Sequence, residues 1–235
     1  MQAWATLNAV HWQRGGAAAD AWKNLGAKHG FTGKHETPPP AVHHARQVHG
    51  TRIVVAPEAA TGGDTSRRVE ADGLLTLTPG TRLAVKTADC LPLLLLVPGR
   101  AAAAVHAGWR GLTSGIIGEA VLALTELGIH AADIHAVVGP AISRDAFEVG
   151  IEVVESLHHG ACGLSPVQAA LCISKGKADR WHVDLPVAAV LSLANAHVDL
   201  TKVSVIQTCT FATPQWHSYR RDGKVHGSNW SWIEL

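Results

Sequence analysis

The sequence predicts a single mixed α/β domain across 1–235. Three observations lead there. Apolar runs follow one another almost without interruption from Leu83 to Ala107, hydrophobic residues recur at helical spacing between Gly111 and Gly128, and strand-like and helix-like segments then alternate toward the C-terminus. A chain of 235 residues is near the upper end of what one hydrophobic core supports.

Taken in order, RLAVKTAD and LLLLV read as strands, Pro98-Gly99-Arg100 as a turn, and AAAAVHA as the returning strand. Runs this apolar belong to strands covered on both faces. Leu112, Ile116, Ala120, Leu124 and Leu127 mark one helix over Gly111 to Gly128, with Gly128 as its stop. IHAVVGPAI, 134–142, reads as a strand leading into a helix with Asp145 in its first turn and Val149, Val153, Val154 and Leu157 on its apolar side. Asp184 caps a further helix, LPVAAVLSLANA, in which Pro186 is tolerated in the first turn, and KVSVIQT, 202–208, is the next strand. Gly30 to Ala41 and Pro57 to Arg68 read as surface loops.

Composition narrows the function classes. Lys and Arg number 20 against 19 Asp and Glu, for a formal charge of +1, and basic residues never run beyond the pairs Arg67-Arg68 and Arg220-Arg221. That balance argues against a nucleic-acid groove or an anionic membrane as partner. The first residues, MQAWATLNAVHWQRGG, have no basic start followed by an uninterrupted apolar stretch, and the longest aliphatic run, Leu91 to Val97, is broken by Pro92, so neither a signal peptide nor a membrane span is expected. Four cysteines at 90, 162, 172 and 209, without a CxxC pair, point to a reducing cytoplasm rather than a disulfide framework.

Three constellations carry polar or metal-binding groups at strand ends beside small residues: Gln47-Val48-His49-Gly50, Thr87-Ala88-Asp89-Cys90-Leu91-Pro92 and His106-Ala107-Gly108-Trp109-Arg110-Gly111. A thiolate and two imidazoles suit zinc or copper and leave one tetrahedral position open for substrate or water. Spacing does not by itself bring His49 to Cys90 and His106. On residue type alone, a Cys beside Leu and Pro is more often a small buried hydrophobe, His106 equally fits a hydrogen-bonded core histidine, and a turn histidine such as His49 is more often merely exposed. Cys162, Cys172 and Cys209 are read as structural.

QVHG, ADGLLT, TADCLPLLL, AAVHAGWRGL, VGPAIS followed by FEVG, and SYRRDG, in that order, strongly resemble the multicopper polyphenol oxidase or laccase-domain family, whose members are also described as purine nucleoside phosphorylases and are related to peptidoglycan editing factors. The resemblance runs from about Asn24 to the C-terminus. It implies a multilayered α/β domain rather than a cupredoxin barrel, with His49, Cys90 and His106 as metal ligands, usually for zinc and in some members for copper. Implied activities are phosphorolysis of adenosine, inosine and methylthioadenosine, adenosine deamination, phenol oxidation and peptidoglycan precursor editing. Asn24 and His29 resemble the family's N-terminal pocket residues. Two regions depart from the pattern: Phe31 and Thr32 follow Gly30, and Lys224 to Asn229 follow SYRRDG.

The residues discriminate among those activities. A blue multicopper enzyme needs several His-x-His pairs, and this sequence has none among its 15 histidines. Purine nucleoside chemistry therefore ranks first, with zinc as cofactor, and copper-dependent phenol oxidation second. Arg110 is the candidate phosphate-binding residue, with Arg46, Arg220 and Arg221 as further anion contacts. Asp89 would orient a ligand histidine, act as a base or cap a turn. Trp109 would stack on the purine or pack in the core, and Gln47 is placed with the substrate-binding group. A third reading makes Cys90 a nucleophile activated by His106, a cysteine hydrolase without metal. The expected partners are a purine nucleoside and phosphate, and the expected state is a monomer or weak homodimer.

Overall fold

The computed structural model describes residues 7–13, 22, 25–37, 40–56, 69–225 and 227–235. Their strands are β1 (His11–Gln13), β2 (Lys28–Thr32), β3 (Ile53–Val55), β4 (Gly73–Thr76), β5 (Arg82–Thr87), β6 (Leu91–Val97), β7 (Ala101–Ala107), β8 (His135–Val138), β9 (Glu148–Val149), β10 (Ile173–Lys175), β11 (Trp181–Val183), β12 (Val203–Ile206) and β13 (Asn229–Glu234). The helices are α1 (Trp109–Thr113), α2 (Ile116–Glu126), α3 (Ile151–His159), α4 (Pro166–Leu171), α5 (Leu185–Asn195) and α6 (Tyr219–Asp222).

The aliphatic runs organise the molecule. β6 and β7 form the antiparallel centre of a seven-stranded mixed sheet of order β1-β12-β8-β6-β7-β4-β3, and every residue of both strands is buried. Side chains alternate across a strand, so a two-sided run must meet a partner layer on each face. Leu91, Leu93 and Leu95 join the cluster that includes Ile117, Leu124, Leu191 and Leu193 of α2 and α5. Leu94 and Leu96 face the other way, into a second cluster with Leu83, Val85 and Ile233 of a three-stranded sheet of order β2-β13-β5. The result is helices, large sheet and small sheet in three layers. A second small sheet, β10-β11-β9, completes the strands, and no helix among the described residues is long and apolar enough to cross a membrane.

Several expected elements are redrawn by tertiary contacts. The single helix over 111–128 is two helices, because Gly115 sits at φ 94° and a Cβ there would lie 2.7 Å from the Ala161 carbonyl oxygen. Asp145 belongs to a 3-10 turn, Arg144–Ala146, and not to a helix; Val149 is drawn into β9 by pairing with Trp181, and α3 begins only at Ile151. Gly30, Phe31 and Thr32 are strand and not loop, since β2 pairs with β13 in a register that places Phe31 opposite Ser231. The loop expected from Pro57 lies outside the described residues through Arg68. Asp184 caps α5 as expected, its Oδ1 accepting from the Val187 N–H at 3.0 Å, and the last expected strand is trimmed to β12 after a 3-10 turn at Leu200–Lys202.

Candidate metal centre and cleft

His106 is the penultimate residue of β7, and Cys90 immediately precedes β6, so the β6–β7 ladder that pairs Leu91 with Ala107 brings them side by side. His49 arrives from a turn before β3. It is held at φ 60°, a left-handed conformation that costs a non-glycine residue energy and persists where surrounding bonds enforce it. Those bonds come from Asp72, just ahead of β4. Its carboxylate accepts the N–H groups of Val48 at 3.1 Å, His49 at 3.0 Å and Gly50 at 2.7 Å.

The same carboxylate accepts a hydrogen bond from Nδ1–H of His106 at 2.7 Å. One buried anion thus shapes the turn that carries one imidazole and fixes the ring of the other, leaving Nε2 of His106 to face the site. The ligand atoms of His49, Cys90 and His106 lie within 4.8 Å of one another. Gly108 permits this approach, for a Cβ there would come within 2.5 Å of Nδ1 of His49 and 3.1 Å of Sγ of Cys90.

The electrostatics match a ligand set. Burial raises the Asp72 pKa, yet the His106 hydrogen bond and the N–H groups of Gly50 and Val48 carry it below the ordinary carboxylate value. Burial likewise opposes ionisation of Cys90, but the adjoining imidazoles bring the thiol down to about 7. His106, against its own burial, is raised to about 9 by Asp72 and Cys90. A thiol poised to ionise, two imidazoles and a carboxylate behind one of them form a donor set that fits a zinc or copper ion. The same Cys–His contact is also what a nucleophilic thiolate requires.

These three residues sit in a cleft of about 1180 Å³ that Arg46, Gln47, Asp89, Trp109, Arg110 and Arg220 also line. The structure thus gathers most of the residues singled out in the sequence. The Arg110 guanidinium stacks 4.2 Å from the Trp109 ring. Arg220 lies 5.5 Å from the Phe147 ring and donates to the Ala146 carbonyl. Arg46 pairs with Glu70 at the rim, both side chains more than half exposed. Gln47 spends its amide on the main chain, Nε2 donating to the Lys86 carbonyl at 2.7 Å and Oε1 accepting from its N–H at 2.8 Å.

Asp89 touches neither imidazole through any of its carboxylate hydrogen bonds. It accepts from the Thr210 hydroxyl at 2.6 Å, the Ser218 hydroxyl at 3.0 Å and the Arg220 N–H at 2.6 Å, and so ties the 210–220 segment to the residue beside Cys90. Two residues are not brought to the cleft. His29 points from β2 into the second core, its ring 4.9 Å from Trp22, because it shares the buried face with its cross-strand partner Ile233. The Arg221 guanidinium is turned onto the carbonyls of Thr210, Phe211 and Trp216 and the carboxylate of Asp222. Asn24 lies outside the described residues.

Sequence reasoning did not single out Asp72 as a site residue, although ADG is one of the motifs quoted above. Lys86 of the cleft wall was likewise not singled out, and Thr87, Phe147 and Tyr219, which lie within the quoted motifs, were given no role of their own. Besides that motif, the signal for Asp72 was a carboxylate in a short polar break before an apolar strand. Cys162 and Cys172 are buried, as a structural role requires, whereas Cys209 is partly exposed and accepts from the Ser143 hydroxyl and N–H and the Ala212 N–H.

The family model described as multi-copper polyphenol oxidoreductase laccase matches residues 15–235. The chain belongs to this family. Among relatives of this laccase-like chain is the purine nucleoside phosphorylase of Xylella fastidiosa (strain 9a5c), 35% identical over 188 residues that cover 78% of this chain and 68% of that protein. Another is the purine nucleoside phosphorylase YfiH of Shigella flexneri, 37% identical and covering 80% and 72%. Of solved structures, YlmD from Geobacillus stearothermophilus superposes with a TM-score of 0.82 at 28% identity, covering 92% of this chain and 93% of that one. The Bacillus licheniformis hypothetical protein YfiH gives 0.74 at 29% identity, covering 81% and 73%. The laccase-like family here is thus an α/β fold without a barrel.

Proposed function

We propose that the protein is a zinc-dependent purine nucleoside enzyme that cleaves adenosine, inosine and methylthioadenosine with phosphate and also deaminates adenosine. The observation that carries this reading is the meeting of His49, Cys90 and His106 in one cleft with the stacked Trp109–Arg110 pair. The names of the Xylella and Shigella relatives support the same substrate class.

His49, Cys90 and His106 would hold the metal, and zinc held there would supply Lewis acidity. Asp72 keeps the Nδ1 proton of His106 and so presents Nε2 toward the site. Arg110 and Arg220 bind phosphate and the charge that develops as the glycosidic bond breaks. Trp109 and Phe147 contribute aromatic surface to the cleft wall beside the base. Asp89 positions Arg220 through its main chain rather than acting as a base.

Incubation with adenosine, with and without phosphate, tests the reading by mass analysis of the products. Adenine and ribose 1-phosphate that form only with phosphate establish phosphorolysis, and inosine establishes deamination. If neither forms, the reading is wrong. The second reading, copper-dependent phenol oxidation, is favoured by the family description. It is disfavoured by the single three-residue ligand cluster among the described residues and the absence of any His-x-His pair from the sequence. A cysteine hydrolase requires Cys90 to be alkylated readily in protein as purified; protection that is lifted only by a chelator excludes it.

A further inference from the structure

Buried polar groups in folded proteins nearly always find a partner, so an orphan inside a cleft is informative. Around the metal centre the accounting is nearly complete. The Asp89 carboxylate receives three donors, and the Gln47 amide is matched to the Lys86 main chain. Asn229, the cross-strand partner of Thr87, commits its amide to the main chain of His217, accepting from the N–H at 2.8 Å and donating to the carbonyl at 2.9 Å.

Thr87 is the exception. Its side-chain hydroxyl is buried and has no hydrogen-bond partner among the described residues, and the residue is 4% exposed. Thr81 also carries an unpartnered buried hydroxyl, but Thr81 does not line the cleft and Thr87 does. A stranded hydroxyl destabilises a fold unless something outside the chain satisfies it. Thr87 ends β5, three residues before Cys90, where the strand opens into the cleft between Lys86 and Asp89.

We propose that Thr87 is a substrate-binding residue whose hydroxyl hydrogen-bonds a polar group of the bound purine nucleoside, an inference that rests on the reading of the cleft given above. A site that hydrogen-bonds its ligand discriminates strongly against analogues that lack the matching group, because a buried partner is then left unpaired. Thr87 therefore sets specificity without taking part in proton transfer or metal binding.

The test compares wild type with Thr87→Val, which keeps the β-branched shape and the β5–β13 main-chain bonds, and with Thr87→Ser, which keeps the hydroxyl. Three measurements are made: phosphorolysis kinetics with adenosine, adenosine affinity by calorimetry, and Tm without ligand. Thr87→Val is expected to melt no lower than wild type, since it removes an unsatisfied group. Its KM and Kd for adenosine should rise roughly tenfold or more with kcat little changed, while Thr87→Ser stays within about threefold of wild type. A deoxy or deamino analogue whose affinity the valine leaves unchanged identifies the partner group. An unchanged KM and Kd in Thr87→Val overturns the inference while leaving the nucleoside reading intact, and so does a lowered Tm with unchanged affinity. A wild type that neither binds nor converts adenosine overturns the underlying reading, and this inference with it.

Discussion

The Asp72 carboxylate stands 2.7 Å from Nδ1 of His106 while accepting the His49 N–H at 3.0 Å, so a residue outside the candidate ligand set governs both imidazoles of the candidate metal centre. Carboxylates behind ligand histidines fix the ring and raise its basicity, and their loss costs about 10–100-fold in metal affinity. Asp72→Asn should lower zinc affinity by about that factor, read by competition with a chelator of known strength. An unchanged affinity would show that the turn at Val48–Gly50 alone places the ligands.

Gly108 can be tested separately from the ligands. Its φ of −65° suits any residue, so alanine there brings no conformational strain, only a methyl group in the space held by His49 and Cys90. Gly108→Ala should fold, with a circular dichroism spectrum like that of wild type, and purify with less than about half the wild-type zinc content because His49 is displaced. Full metal content would mean the turn can give way.

Metal uptake should release protons in a pH-dependent number. Ligands bind deprotonated, and in the metal-free protein Cys90 titrates near 7 and His106 near 9. Between those values the thiol is ionised and His106 still holds its proton, so binding displaces about one proton; below 7 it displaces about two. Apparent affinity therefore falls about tenfold per pH unit from 9 to 7 and more steeply below. Isothermal titration in buffers of different ionisation enthalpy counts the protons, and a number independent of pH contradicts the assignment.

Leu95 lies fully buried on β6 against the helical layer. Leu95→Ala should cost about 2–5 kcal/mol of unfolding free energy, measured in urea, with no change in ligand identity at the site. A loss below about 1 kcal/mol would mean that the helices above the sheet close over the cavity.

Much of the fold was legible because local patterns report burial. The unbroken apolar stretch over β6 and β7 announced strands covered on both sides, and Asp184 with Pro186 announced the start of α5. The errors fell where a distant partner decides the local structure. Val149 is a strand residue because Trp181 pairs with it, Phe31 is a strand residue because Ser231 does, and the helix after Arg110 breaks because Gly115 must clear the Ala161 carbonyl.

For the site, the amino-acid sequence by itself determined the donor types, the small residues around them and the likeness to a family with a His, Cys, His ligand set. It placed Cys90 and His106 at facing ends of one hairpin. Only the tertiary structure brought His49 to them, revealed Asp72 behind the pair, turned His29 and Arg221 away from the cleft, and left the buried Thr87 hydroxyl beside it without a partner among the described residues. The physical reason is that periodicity records whether a side chain is buried. Which buried or half-buried groups meet depends on strand register and on hydrogen bonds between segments far apart in the chain.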